Sequence, residues 1–256
     1  MRARRGPTTL ALDIGGSGIK GMLLDLHGRP ASERVREKTP HPATPAAVLR
    51  VVRSLADRLS AHDRVSVGFP GVVENGVVRT ATNLHPAWIG IRPSARIRAL
   101  LRKPVRIAND ADVQGLGIVA GRGVELVLTL GTGIGSALFL DGRLIPNLEL
   151  GHHTFRRGRT YEDLLGDRAL KRIGLKRWNR RLRRAVEILL QTFNPRRLYL
   201  GGGNARMVGR GLPARVVVAS NLAGLLGGIR LWDDAASAEP GPRGRRLQPR
   251  SASNPT

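Results

Sequence analysis

Two glycine-rich stretches and one carboxylate hold most of the chemistry this chain can offer. "DIGGSGIKG" (13–21) sets Asp13, Gly15, Gly16, Ser17, Gly18 and Lys20 in one loop region. "LGTGIGSALF" (130–139) sets Gly131, Thr132 and Gly133 in another. Backbone N–H groups exposed in such loops form nests that bind anions, phosphate in particular. Asp110, in "RIANDAD", follows a strand-like run ending at Ala108 and opens a helix. A carboxylate there stands at a cleft edge, where it can take a proton or serve merely as a helix cap. Asp112 reads as first-turn charge matched to the helix dipole. Glu149 and His152, three apart in "ELGHH", can fork hydrogen bonds to adjacent hydroxyls. The neighbouring His152 and His153 raise a zinc site, but three further ligands are not in sight, and His153 reads as structural.

The type of phosphate follows from what the first loop leads into. Gly16, Gly18 and Gly21 fit G-x-G-x-x-G, the dinucleotide fingerprint. That fingerprint must open a helix. Here it opens "IKGMLLDL", too apolar for a one-sided helix and soon halted by His27-Gly28. The Walker pattern fails as well, because Lys20 is followed by Gly21 rather than Ser or Thr. The stretch predicts strand, turn, strand. "LALDIGGSGIKGMLLDLHGR" also aligns with "LVLTLGTGIGSALFLDGR", pairing Asp13 with Thr129 and Gly15 with Gly131. Two matched glycine hairpins, one in each half, predict a cleft gripped by a phosphate loop on each wall.

The elements that must position these residues are legible in outline. Strands are expected at 8–14, 19–26, 31–37, 64–69, 104–108, 124–130 and 134–140, in "RRLYLGGG" and in "ARVVVAS". Thr44 and Pro45 start a helix with Val48, Val52, Leu55 and Leu59 as its buried stripe. "VVENGVVR" is a hairpin turning at Asn75-Gly76. Further helices are expected at 92–102, 109–121, 160–173 and 177–193, and a last one from Ser220 to Trp232. From Asp233 onward the chain is rich in Pro, Gly, Arg and Ser and is expected to be disordered.

The 256 residues suffice for one large domain or two smaller ones. The chain has no Cys, which excludes disulfides and thiolate metal sites. No apolar run reaches the roughly 18–20 residues of a membrane helix, and no secretory signal opens the chain; a cytoplasmic enzyme is expected. Net charge is +24, with 38 Arg among 43 basic residues. Such charge attracts polyanions, although Arg spread along a chain is also a plain compositional bias. The densest region, 156–184, holds 12 basic and three acidic residues, part of it the wet side of an amphipathic helix.

"DIGGSGIKG", "GFPGVV", "NDAD", "LGTGIGSALF", "ELGHH" and "LGGGN" stand in the order found in the ROK family of sugar kinases. The resemblance covers about residues 8–232 and is strongest to polyphosphate-using members. It implies an α/β actin-like, hexokinase-like (ribonuclease H-like) fold. Its small N-terminal domain would span 1–108 and its larger C-terminal domain 109–232, followed by the tail 233–256. The last helix would pack back on the first domain. It implies phosphoryl transfer from polyphosphate or ATP to the 6-hydroxyl of a hexose, glucose first, with Mg²⁺ as cofactor. Asp110 becomes the catalytic base. Asn83, Asn109, Glu149 and His152 become sugar contacts, and Asp13 orients Mg²⁺ or its water. Ser17 and Lys20 contact phosphate, with Lys20 alternatively turned to solvent from the second strand. Gly201, Gly202 and Gly203 take adenosine in ATP-using relatives, or form only a close strand–helix junction. His85 and Trp88 beside Asn83 can equally be packing.

Many members carry a Cys-rich zinc motif ending in a sugar-binding Glu. Its absence here leaves Glu162 as the candidate carboxylate. The family also includes sugar-sensing repressors, which carry a DNA-binding domain in front. Only about seven residues precede the first strand, too few for a helix-turn-helix, so nucleic acid is not the expected partner. A homodimer is expected by analogy alone.

Overall fold

The computed structural model describes residues 6–220 and 223–233. The basic first residues, positions 221–222 of the last expected helix and the tail 234–256 lie outside the described residues.

In order come β1 (Thr9–Ile14), β2 (Ile19–Leu24), β3 (Val35–Glu37), α1 (Pro45–Arg58) and β4 (Arg64–Phe69). A small hairpin, β5 (Val73–Glu74) and β6 (Val77–Val78), leads to α2 (Pro93–Leu101), β7 (Val105–Asn109) and α3 (Asp110–Leu116). Next are β8 (Val124–Leu130), β9 (Ile134–Leu140), β10 (Arg143–Ile145), β11 (Thr154–Arg156) and β12 (Arg159–Thr160). The described elements close with α4 (Tyr161–Leu165), α5 (Asp167–Phe193), β13 (Arg197–Gly201), β14 (Val216–Val218), α6 (Ala223–Leu226) and a 3₁₀ turn at Gly227–Trp232.

Two five-stranded sheets repeat one topology. The first has the order β3-β2-β1-β4-β7, the second β10-β9-β8-β13-β14. In each, a glycine hairpin is antiparallel (β1–β2, β8–β9) and two further strands join in parallel. The internal repeat in the sequence is therefore a repeat of structure. The strands' period of two decides what faces what. In β1, Leu10, Leu12 and Ile14 enter the core with α1, while Ala11 turns to the other face and packs with Leu225. Asp13 shares the parity of Ala11. In β8, Leu126, Leu128 and Leu130 face the core with α5, and Val127 turns toward α3. Thr129 shares the parity of Val127. One strand from each sheet thus ends with a polar residue on the side where α3 lies.

α1 follows its sequence signals. Thr44 accepts the Ala47 N–H at 3.3 Å, Pro45 opens the helix, and Val48, Val52 and Leu55 are fully buried. Each contributes about 1.5–3 kcal/mol relative to exposure. Several elements differ from expectation. The third strand shrinks to Val35–Glu37 and the 109–121 helix to Asp110–Leu116. The 160–173 helix breaks at Gly166, and the next runs to Phe193 through a sharp non-helical joint at Gly174 (φ 74°, ψ 163°). Gly166 caps both neighbours, so a new N-terminus starts at Asp167 inside the expected helix. Apolar periodicity does not register a one-residue joint of this kind.

The C-terminal turn packs on the first sheet. Ser66 donates to the Gly228 carbonyl and accepts from the Trp232 indole (2.6 and 2.8 Å). The Arg64 and Arg106 guanidinium groups stand 4.7 and 4.8 Å from the Trp232 ring. Gly227 lies directly on α3: a Cβ there would overlap the Val113 carbonyl oxygen.

Candidate functional site

A cleft of about 470 Å³ opens between the two glycine hairpins. Asp13, Gly15, Gly16, Ser17, Gly18 and Lys20 line it from the first hairpin, and Thr129, Gly131, Thr132 and Gly133 from the second. The turns are built alike: the Gly15 N–H donates to the Gly18 carbonyl (3.1 Å), and the Gly131 N–H to the Gly133 carbonyl (3.0 Å). Their tips meet, with the Ser17 and Thr132 hydroxyls 3.0 Å apart. Thr39 donates to the Gly15 carbonyl and Arg36 to the Ser17 carbonyl, which fixes the first turn from outside.

Asp110 lies between them at the head of α3. Capping falls to Asn109 instead. Its Oδ1 accepts the Ala111 and Asp112 N–H groups (2.8 and 3.4 Å), and its Nδ2 donates to the Gly71 carbonyl (3.1 Å). Asn109 is buried, and these bonds hold the helix that carries Asp110. Burial pushes the Asp110 carboxyl up to about 7, helped by the fields of Asp13 and Glu149 and opposed by the Ala111 N–H and Lys20. A general base works best with a pKa near the working pH. The Lys20 ammonium donates to Asp13 at 2.6 Å and lines the cleft, so the solvent-facing alternative does not hold.

Asp112 departs from its reading as a dipole-matching charge. It is 4% exposed, and burial, with Asp110 and Glu149 nearby, lifts its pKa to about 8. A buried carboxyl keeps its proton rather than ionise at the helix end. The linkage has a definite sign. A carboxyl whose folded pKa lies above its unfolded value of 3.8 adds stability below about pH 4 and loses it as pH rises through about 8. Ligand-free protein should therefore lose stability between pH 5 and 8. Asp112→Asn should flatten that fall and gain about 2 kcal/mol at pH 8, read from chemical denaturation at each pH.

Of the remaining candidates Asn83 lines the cleft, while Glu149, His152 and Glu162 stand behind its lining. Asn83 lies close to Gly16 and Gly133. Glu162, at the start of α4, accepts the Ile134 N–H (3.1 Å) and sits beside Gly133 and Asn83. Glu149 and His152 approach each other at 3.5 Å, and the Thr82 hydroxyl lies 3.5 Å from the same imidazole. Burial raises the Glu149 pKa, which His152 partly offsets and Glu162 reinforces. His153 is exposed, its ring 6.4 Å from that of Tyr161. No group of three His, Cys, Asp or Glu that could hold a metal by itself occurs among the described residues.

Gly202 and Gly203 line the cleft, while Gly201 is buried against the Gln114 amide. Gly202 needs its φ of +84°, and a Cβ there would collide with the Leu130 oxygen. Trp88 is core: fully buried, edge-on to Phe69 at 5.1 Å, with its indole donating to the Ala43 carbonyl. His85 accepts the Ala87 N–H and lines a second cavity beside the cleft. The sequence reading missed Arg36, Gln114, Asp167 and Lys171, all of which line the cleft. Strand parity could have found Arg36, which pairs with Lys20 across β2 and β3. Asp167 and Lys171 form an ion pair at 2.6 Å, and only the unforeseen break at Gly166 brings them there.

The comparisons agree with this architecture. The ROK family pattern matches residues 9–159. A polyphosphate glucokinase of Mycobacterium tuberculosis (strain CDC 1551 / Oshkosh) is 36% identical over 84% of this chain and 88% of its own length. The crystal structure of an inorganic polyphosphate/ATP-glucomannokinase from Arthrobacter sp. strain KM is 35% identical, with a TM-score of 0.82 over 88% of this chain and 98% of that one. A ROK family glucokinase from Streptomyces griseus, solved with glucose and AMPPNP, superposes with a TM-score of 0.75 at 20% identity, covering 88% of this chain and 98% of its own, and shows the fold alone. That fold is the actin-like, hexokinase-like α/β fold. The matched hairpins, the α3 carboxylate and these likenesses place the chain in the ROK family.

Proposed function

We propose that this protein is a sugar kinase that transfers the terminal phosphoryl group of polyphosphate or ATP to the 6-hydroxyl of a hexose, glucose first. The observation that carries the reading is Asp110, a carboxylate raised to about 7 and set between two glycine turns that both line one cleft. The names of the relatives at 36% and 35% identity support it.

In this reading Asp110 takes the proton of the 6-hydroxyl as that oxygen attacks the terminal phosphorus. A new O–P bond forms while the bond to the bridging oxygen breaks, and the shortened donor leaves with the electron pair. N–H groups of the 15–18 and 131–133 turns, with Lys20, stabilise the charge on the departing oxygen. Asn83, Glu149, His152 and Glu162 hold the sugar, and Asn109 holds the helix that carries the base. Gly202 and Gly203 give room for a nucleotide when ATP is the donor. Two lobes, 1–108 and 109–232, close on the substrates and exclude water, the competing acceptor.

Mg²⁺ suits the cleft. Asp13 lines it and offers a carboxylate that would hold such an ion, directly or through a water, alongside substrate phosphates. When bound, it would spread the charge of the transferred group. Among the described residues no helix is long and apolar enough to cross a membrane. We also propose a homodimer in the cytoplasm, which light scattering and fractionation check.

The decisive assay compares rates for glucose, mannose and N-acetylmannosamine with ATP and with polyphosphate, coupled to sugar-phosphate detection. Turnover of glucose with either donor is the expected result. No phosphorylation of any hexose with any donor rejects the reading.

A further inference from the structure

The cleft does not end where the phosphate turns end. The Asp167 N–H donates to the Gly131 carbonyl (3.0 Å), so the first turn of α5 is fastened to the second phosphate loop. On that turn Lys171 lines the cleft and Arg168 lines the adjoining cavity. Arg172 follows, exposed and one turn on from Arg168. Beyond it stands a group of guanidinium side chains from two separate elements. Arg156 and Arg159 come from the β11–β12 hairpin, whose tip is Arg157-Gly158, and Arg180 and Arg181 from α5 after its joint. Arg181 is anchored by donation to the Leu164 carbonyl at 3.5 Å.

These charges are only partly offset, by Asp163, which the Thr160 hydrogen bonds first and then the fields of Arg159 and Arg172 hold below the usual carboxylate range. Among the described residues none of Arg156, Arg157, Arg159, Arg172, Arg180 and Arg181 forms an ion pair. The nearby acids form no ion pair with these guanidinium groups. Asp163 is tied into the Thr160 capping box, Glu162 reaches to the Ile134 N–H, and Asp167 pairs with Lys171. Partial burial, and then the repulsion of Arg172, Arg159, Arg156 and Arg180, holds Arg181 below its usual basicity. Like charges gathered at this density are costly unless an anion accompanies them. Guanidinium groups suit phosphate oxygens, which they can bind through paired hydrogen bonds.

We propose that this arginine crown, continuous with the cleft through Lys171 and Arg168, holds the length of a polyphosphate chain whose terminal phosphate lies at Asp110. The proposal rests on the donor reading above and goes beyond it. It separates donors by length, because a nucleotide or a short oligophosphate ends inside the cleft and a long chain runs on over the crown. The chemistry favours polyphosphate over nucleic acid. Single-stranded nucleic acid is held by aromatic rings on which bases stack. Here Trp178 is fully buried and Phe155 stacks on buried Tyr161 at 4.7 Å.

The test is the triple variant R156S/R159S/R172S, with R156K/R159K/R172K as its charge-preserving partner. KM is measured for long-chain polyphosphate, tripolyphosphate, ATP and glucose over a range of salt. For the serine variant, KM for the long chain should rise about tenfold or more, with a shallower salt dependence, while the other three constants stay within about twofold. The lysine variant should recover most of the loss. Unchanged KM for the long chain, or an equal rise for every donor in a variant with wild-type circular dichroism, overturns the crown. Competition by duplex DNA as strong as by long-chain polyphosphate also overturns it. Wild-type turnover with ATP but with no polyphosphate of any length locates the failure in the donor reading instead.

Discussion

Asp110→Asn should abolish nearly all turnover, lowering kcat by about a thousandfold or more, while hexose affinity by calorimetry stays within about threefold. The substitution keeps the shape of the side chain and its bond to the Ala111 N–H, so the helix and the cleft survive. It removes only the capacity to accept a proton from the attacking hydroxyl. The wild type carries a second signature of the same role. With the carboxyl near 7, kcat/KM should fall on the acid side with an apparent pKa in that region. Asp110, Asp112 and Glu149 lie in one another's fields, so the limb belongs to the group rather than to one residue. The Asn variant should lose that limb from whatever activity persists. Near-normal kcat in the variant would remove Asp110 from the chemistry and with it the in-line mechanism.

Gly227→Ala carries the largest stability effect. An added methyl would overlap the Val113 oxygen and stand 2.8 Å from the Gly117 nitrogen, both backbone atoms of the α3 region. No side-chain rotation relieves such an overlap, so the C-terminal turn must lift off α3 or distort it. The cost should be about 3 kcal/mol or more. For a chain of this size that lowers Tm by about 6–12 °C. Gly203→Ala is the control, because nothing lies within 4 Å of the place its methyl would take. Differential scanning fluorimetry of the two variants decides it, and equal melting curves would refute the tight contact. Activity should fall with Gly227→Ala as well, since α3 carries Asp110 at its other end.

What could be foreseen and what could not divides along physical lines. Both glycine hairpins were legible because two strong local signals, apolar runs and tight turns, repeat in register. Asp13 and Thr129 followed from the alignment, and strand parity then aims both toward α3. The strand-to-helix step at Asn109–Asp110 was visible, but not which of the two caps: both residue types cap well, and only the Gly71 carbonyl, 38 residues upstream, selects Asn109. The burial of Asp112 was hidden for the same reason, since helical position says nothing about which neighbours close over it. The joints at Gly166 and Gly174 lie inside a continuous basic, helix-favouring stretch, and the first of them brings Lys171 to the cleft and Arg168 to the adjoining cavity. Composition flagged that stretch as charged. It could not tell a merely solvated face from one that borders the site.

The touching hydroxyls of Ser17 and Thr132 bear on how the two halves join. Both residues border the cleft and also the adjoining cavity that His85 lines, so the pair stands as a partition between the two spaces. One hydroxyl comes from each half of the internal repeat, 115 residues apart in the chain, so the partition exists only while the two halves meet.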